Sequence, residues 1–387
     1  MKKIIRAFTV PQSLGFCRGI APLLAAEGLE MVAVSSPGTE LDEFGRSEGV
    51  RTIGVPMQRR ISPLKDLKSL WQMYRVLRRE RPYMVHSMTP KAGLVTMLAA
   101  WLARVPLRIH TFTGLVFPTS AGLKRRILMA TDWITCACAT HIIPEGEGVK
   151  ADLLNNGITH KPLRVLGYGN IRGIDLDYYK SKPAKDESDS PFTFVFVGRI
   201  VRDKGINELV SAFKRLHAEI SATRLVLVGH YEENIDPVMP KTIAEINHNP
   251  AIEAVGPQKD VRPFYAAADA LVFPSYREGF PNVVIEAGAM DLPSIVTDIN
   301  GSREIIIEGE NGTIIPPCDA EALYQVMKRW VEHPDEPRRM AANARRLIAS
   351  RYEQGFVRQC LIDFYKKICQ QMKPIKQMTN PPANCFR

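Results

Sequence analysis

Short runs rich in β-branched and aromatic residues alternate with segments of helical period along nearly the whole chain, and this alternation limits the fold more than any other feature. In the first half, Lys3–Thr9, Glu30–Ser35, Val50–Gly54, Met84–His86, Leu107–Phe112 and Thr140–Ile143 read as strands, with helices such as Leu64–Arg79 and Lys91–Leu102 between them. Strands that alternate with helices at this spacing build a parallel sheet with helices on both faces, and ligands collect at the carboxyl ends of its strands. The texture breaks at "YYKSKPAKDESDSP", Tyr178–Pro191, which is polar, charged and closed by proline. It restarts with "FTFVFVG", Phe192–Gly198, and continues through Arg224–Val228, Ile252–Val255, Ala270–Phe273, Ser294–Thr297 and Thr313–Ile315. A chain of 387 residues also exceeds what one core accommodates. The expectation is an α/β protein of two doubly wound Rossmann-like domains facing a cleft. Residues 1–175 form the first, 176–191 a linker and 192–350 the second. A C-terminal helix over 351–372 crosses back to the first domain, and 373–387 reads as a disordered tail.

Charge divides the halves. Residues 1–170 hold 23 of the 51 Lys and Arg but only 12 of the 41 Asp and Glu, and the stretch 51–126 alone has 15 basic and 2 acidic residues. Such a patch suits an anionic membrane, a polyanionic substrate or nucleic acid, with a generally basic solvated surface as the plain alternative. The helix Leu64–Arg79 starts after Ser62-Pro63, an N-cap with proline at the first helical position. Leu64, Leu67, Leu70, Trp71, Tyr74 and Leu77 form one stripe expected to face a core, and Lys65, Lys68, Arg75, Arg78, Arg79 and Arg81 lie mostly off it. Trp71 and Tyr74 are expected in the core, with an interfacial role as the second reading. The apolar run Ala92–Ala103 is too short to cross a bilayer. The seven cysteines are scattered, which argues for reduced thiols and against a zinc site, with Cys136 and Cys138 as core filler.

Two clusters carry chemistry. Gly198 ends a strand, and Arg199 and Lys204 follow it just before a helix, an arrangement suited to a diphosphate. The patterns of a P-loop and of a dinucleotide fingerprint are absent. In "SYREGFPNVVIEAGAMDLPSI", Glu278 precedes a Gly-Phe-Pro-Asn break and Glu286 falls in the helix after it. The two acids read as an acid/base pair, as holders of sugar hydroxyls, or as unrelated charges of which Glu286 merely suits a helix dipole.

"VGRIVRDKG", "PSYREGFPNVVIEAGAMDLPSIVTDINGSREII" and "ENGTIIPPCD" resemble the signature blocks of the family-4 retaining glycosyltransferases, whose fold is GT-B. Glu278 and Glu286 match that family's E-x7-E motif. The resemblance implies that Arg199 and Lys204 hold the donor diphosphate, that Glu278 contacts the donor sugar, and that Glu286 holds the nucleotide ribose. Gly198 and the backbone of Gly279, Phe280, Asn282 and Val283 would lie beside the donor. Gly15, in the loop "SLGFCRG", would let the chain pass the donor phosphates. Asn300, Gly301 and Glu304 resemble a supporting loop. The stretch "HSMTPKAGLVTMLAAWLARVPLRIHTFTGLVF" is similar to bacterial enzymes that extend polyprenyl-diphosphate-linked sugars. Where many members have a histidine facing the reacting centre, this chain has Thr113, so His110 and His86 are the remaining histidine candidates beside it. Asp175–Asp177 is set aside as a metal motif because it lies at the domain junction.

The resemblance thus implies a retaining hexosyltransferase with no cofactor or metal, moving sugar from a nucleotide-sugar donor, a UDP-sugar for preference, to a lipid-linked saccharide acceptor. Its partners would be that donor, that acceptor and the anionic inner-leaflet membrane surface, with no nucleic acid, and its place peripheral on the cytoplasmic face of the inner membrane. The alternatives are a GT-B nucleotide-sugar epimerase and, from another class, a nucleic-acid-binding protein using the basic patch. The latter lacks interleaved aromatics and any recognised motif.

Overall fold

A computed structural model describes residues 1–58, 62–181, 190–232 and 236–372. The central part of the expected linker, 182–189, and the expected tail, 373–387, lie outside the described residues.

The described chain forms two six-stranded, wholly parallel sheets. The first has β1 (Lys2–Ala7), β2 (Leu29–Ser35), β3 (Arg51–Gly54), β4 (Met84–Met88), β5 (Leu107–Phe112) and β6 (His141–Pro144) in the order β3-β2-β1-β4-β5-β6. The second has β7 (Phe192–Val197), β8 (Thr223–Val228), β9 (Ile252–Gly256), β10 (Ala270–Phe273), β11 (Ser294–Thr297) and β12 (Gly312–Ile315) in the order β12-β11-β10-β7-β8-β9. In each sheet the strand order reverses beside the first strand of the half, the topology that opens a crevice at the carboxyl ends. The inner strands are buried on both faces, which is why they read as continuous apolar runs.

The helix Gln354–Gln371 buries Leu361, Ile362, Phe364, Tyr365 and Ile368 in the core of the first sheet, among Ile4, Phe8 and Met84. The chain therefore passes between the halves twice. The two passages pair with each other, the Ile174 N–H donating to Tyr352 O at 2.8 Å and the Gln354 N–H to Ile174 O at 2.9 Å. Gly173 keeps φ +67 there, and a Cβ on it would fall 2.6 Å from Gln354 Cα. That crowding explains glycine at this crossing.

The structure corrects the stripe on the helix Pro63–Glu80. Leu64, Leu67 and Trp71 are 86, 65 and 56 % exposed, and the buried side is made by Ser69, Met73 and Leu77, with Leu70 and Tyr74 half-buried. Trp71 carries the Arg75 guanidinium 4.6 Å above its ring. The helices Pro90–Leu102 and Gly122–Cys138 pack successively beside this one, and they expose Trp101, Leu102, Leu123, Ile127 and Trp133. Both acids of the basic stretch are consumed: Asp66 by Lys91, and Glu80 by Arg51, Lys3 and Arg79. Hydrogen bonding from Arg51 holds the Glu80 carboxyl down at about 2. Cys136 and Cys138 are buried thiols, and burial pushes Cys136 up to about 12.

Candidate active site

The facing carboxyl ends of the two sheets bring most of the singled-out residues together. Beyond β7, Gly198 lies at φ +152, and its carbonyl is covered by the backbone of Gly229, where a Cβ would fall 1.7 Å away. The close approach that glycine permits here is thus between the ends of β7 and β8. Arg199 and Lys204 follow, the latter just before the helix Ile206–Glu219. Beyond β10 comes Glu278, then the helix Asn282–Ala289, which carries Glu286 on its second turn.

Each of these charges has a partner. Lys204 Nζ meets the Glu278 carboxylate, which also accepts the Ser275 hydroxyl at 2.9 Å. Arg199 pairs with Glu232. Burial raises the Glu232 carboxyl and Arg199 overcomes that effect, leaving it below its ordinary range. Glu286 is 6 % exposed and accepts Arg172 Nη1 at 3.0 Å and the Tyr265 hydroxyl at 3.4 Å. Burial nevertheless dominates and raises its pKa. Glu232, Arg172 and Tyr265 lie far from their partners in sequence, and no local spacing signals them.

The turn between the acids touches the first domain. A Cβ on Gly279 would fall 2.2 Å from Thr113 O, so Thr113 meets the second domain through its backbone. Phe280 is buried against Gly169 and Tyr352. Asn282 Oδ1 accepts Asn170 Nδ2 at 3.1 Å, and Val283 O accepts the Tyr265 hydroxyl at 3.4 Å. The loop after β11 adds a further clasp. Glu304 accepts the backbone N–H groups of Glu147 at 2.7 Å and Gly148 at 3.1 Å, so it caps the helix Glu147–Asn155 of the other domain. Asn300 Nδ2 donates to Asp152 at 2.6 Å. The supporting loop of the sequence reading is a contact between the halves.

Gly15 sits in a short 3₁₀ segment, Pro11–Cys17, with open space where a Cβ would stand. It lines a cavity of about 680 Å³ shared with Phe16, Arg18, Glu43, Arg172 and Asn282. The two histidines are not brought to the cleft. His86 is fully buried between the Tyr365 hydroxyl and Thr111 Oγ1, and His110 is held by Ser87 Oγ at 2.8 Å against Gly93. Burial pushes both pKa values down, His110 to about 3, so each is a neutral interior imidazole. A strand-end position fits a cleft residue and a packed one equally, and the sequence could not show that the C-terminal helix covers His86.

The arrangement sets two cations, a helix N-terminus and two acids beyond the carboxyl ends of the second sheet, groups of the kind that bind phosphates and hydroxyls. The first half, residues 16–169, matches the family model "Glycosyl transferase 4-like domain", and residues 178–347 match "Glycosyl transferases group 1". The chain is 30 % identical to the capsular polysaccharide biosynthesis glycosyltransferase CapM of Staphylococcus aureus over 377 residues, covering 96 % of this chain and 98 % of CapM. It is 27 % identical to the UDP-Gal:alpha-D-GlcNAc-diphosphoundecaprenol alpha-1,3-galactosyltransferase of Escherichia coli, covering 73 % of this chain and 75 % of that enzyme. Among solved structures it is similar to Anabaena Alr3699/HepE in complex with UDP, with TM-score 0.76, 16 % identity and coverage of 95 % and 100 %. The chain belongs to the family-4 glycosyltransferases of GT-B fold and is similar to a glycosyltransferase of capsular polysaccharide biosynthesis.

Proposed function

We propose that this chain transfers a sugar, with retention of configuration, from a UDP-sugar to a polyprenyl-diphosphate-linked saccharide during assembly of a surface polysaccharide. The observation that carries the reading is the Lys204–Glu278 pair beside Arg199, all at the carboxyl ends of the second sheet. A diphosphate entering there takes over Lys204 and Arg199. Glu278 is then free to accept hydroxyls of the donor sugar, and Glu286 those of the ribose. The two cations stabilise the charge that develops on the leaving diphosphate. That diphosphate, on the face the acceptor approaches, takes the acceptor hydroxyl's proton as the glycosidic bond forms. The UDP complex of Alr3699/HepE supports the nucleotide, and the name of the Escherichia coli relative supports both donor and lipid acceptor.

The first domain supports the acceptor side. The three adjacent helices expose Leu64, Leu67, Trp71, Trp101 and Trp133 together with Lys65, Lys68, Lys124 and Arg126, the composition of a surface that lies on an anionic bilayer. No described helix is long and apolar enough to cross a membrane. We therefore place the protein peripherally, on the cytoplasmic face of the membrane that holds the acceptor. A thermal-shift screen of UDP- and GDP-sugars tests the donor assignment. Stabilisation by UDP-sugars alone supports it, and stabilisation by GDP-sugars alone overturns it.

A further inference from the structure

One buried titratable group in the seam between the domains has no part in donor binding. Glu145 follows β6 and is 2 % exposed. Its backbone N–H donates to Phe112 O at 3.0 Å, and its carbonyl accepts the Asn170 N–H at 2.9 Å. The Ile171 N–H acts to lower the pKa of its carboxyl, but Oε1 is enclosed without a partner. A Cβ on Gly169 would stand 2.6 Å from both Glu145 O and the Phe280 ring, so the main chain of Glu145 lies at the seam where the two domains meet.

The charges around it are mostly acids. From the second domain it faces Glu278 and Glu304. Glu304 is occupied by the helix it caps, and Glu278 by Lys204. On the following helix, Glu147 and Lys150 pair with each other, and on the loop below, Arg172 is taken by Glu286. Burial first, then Glu278 and Glu304, raise the Glu145 carboxyl to about 8, so it keeps its proton at neutral pH. Ionising it here would add a third carboxylate to a seam where Lys204 is the cation on Glu278.

Donor binding removes that compensation, because a diphosphate draws Lys204 away from Glu278. We propose that Glu145 is a positioning residue for Glu278, its enclosed carboxyl adding no charge beside Glu278 once Lys204 has moved to the diphosphate. No covalent bond changes. Above neutral pH, where part of the free protein has lost the Glu145 proton, binding takes one up from solvent. This inference rests on the donor reading above.

The test is calorimetric titration of UDP at pH 8 in two buffers of different ionisation enthalpy. The wild type is expected to take up a fraction of a proton per UDP bound, as a group partly ionised in the free protein requires. Glu145→Gln should bind UDP with no such uptake. A second variant, Glu304→Gln, leaves Glu145 in place but removes one acid facing it, and should move the pH of half-maximal uptake downward. UDP binding without proton uptake by the wild type overturns the inference alone, as does unchanged uptake in Glu145→Gln. Absence of UDP binding overturns the donor reading, and this inference with it.

Discussion

Lys204 and Glu278, 74 residues apart, meet across the carboxyl ends of β7 and β10, so the cation read as the phosphate holder neutralises the acid read as the sugar holder. The free site is thus self-paired. A donor held as proposed would exchange one set of ion pairs for another instead of meeting unpaired charges.

Lys204→Ala removes a charge-assisted hydrogen bond to the diphosphate and strands Glu278. Such bonds are worth about 1.5–3 kcal/mol, so UDP affinity should fall by roughly ten- to a hundredfold. Calorimetry checks this, and unchanged affinity would remove Lys204 from the donor site.

Glu232→Gln acts the other way. It releases Arg199 from its competing carboxylate, and UDP should bind a few-fold tighter at low salt, with the gain shrinking as salt rises. A weaker complex in this variant would mean that Glu232 helps to hold the donor or the loop around it.

Arg172→Ala leaves Glu286 buried without its cation. Glu286 already has a raised pKa, so its unfolded form releases the proton first and stability falls as pH rises above the ordinary carboxyl value of 4.5. Removing Arg172 raises the folded pKa further and extends that loss upward. The melting temperature should drop by several degrees at pH 8 and by less at pH 5. An equal drop at both would argue against a charge effect.

Trp71→Ala combined with Leu67→Ala strips exposed apolar side chains and should leave the melting temperature within about a degree, since surface changes seldom exceed 0.5 kcal/mol. Binding to phosphatidylglycerol vesicles should fall about tenfold or more. Wild-type binding should weaken with salt, and equal binding to neutral vesicles at any salt contradicts the membrane assignment.

How far the chain could be read in advance follows from the range of each signal. Ala270–Phe273, Ser294–Thr297 and Leu107–Phe112 were legible because a strand buried on both faces is a local apolar run. The E-x7-E spacing was legible because a turn and a helix fix it locally. The partners of those acids were not: Arg172 reaches Glu286 across 114 positions, and only the folded hinge brings them together. The stripe on Pro63–Glu80 misled because leucines and a tryptophan at helical spacing mark an apolar face without saying whether protein covers it. His86 stayed open for the same reason, since a strand-end histidine is packed as often as it is available, and only Tyr365 from the last helix decides for packing.

Transfer from a nucleotide-sugar held by Lys204 and Glu278 is the step on which the other effects depend. The direct measurement is incorporation of label from a panel of radiolabelled UDP-sugars into polyprenyl-diphosphate-linked saccharide, by the wild type, Lys204→Ala and Glu278→Ala. The account predicts incorporation from at least one UDP-sugar by the wild type and its loss in both variants. Near-normal turnover in either folded variant would contradict it.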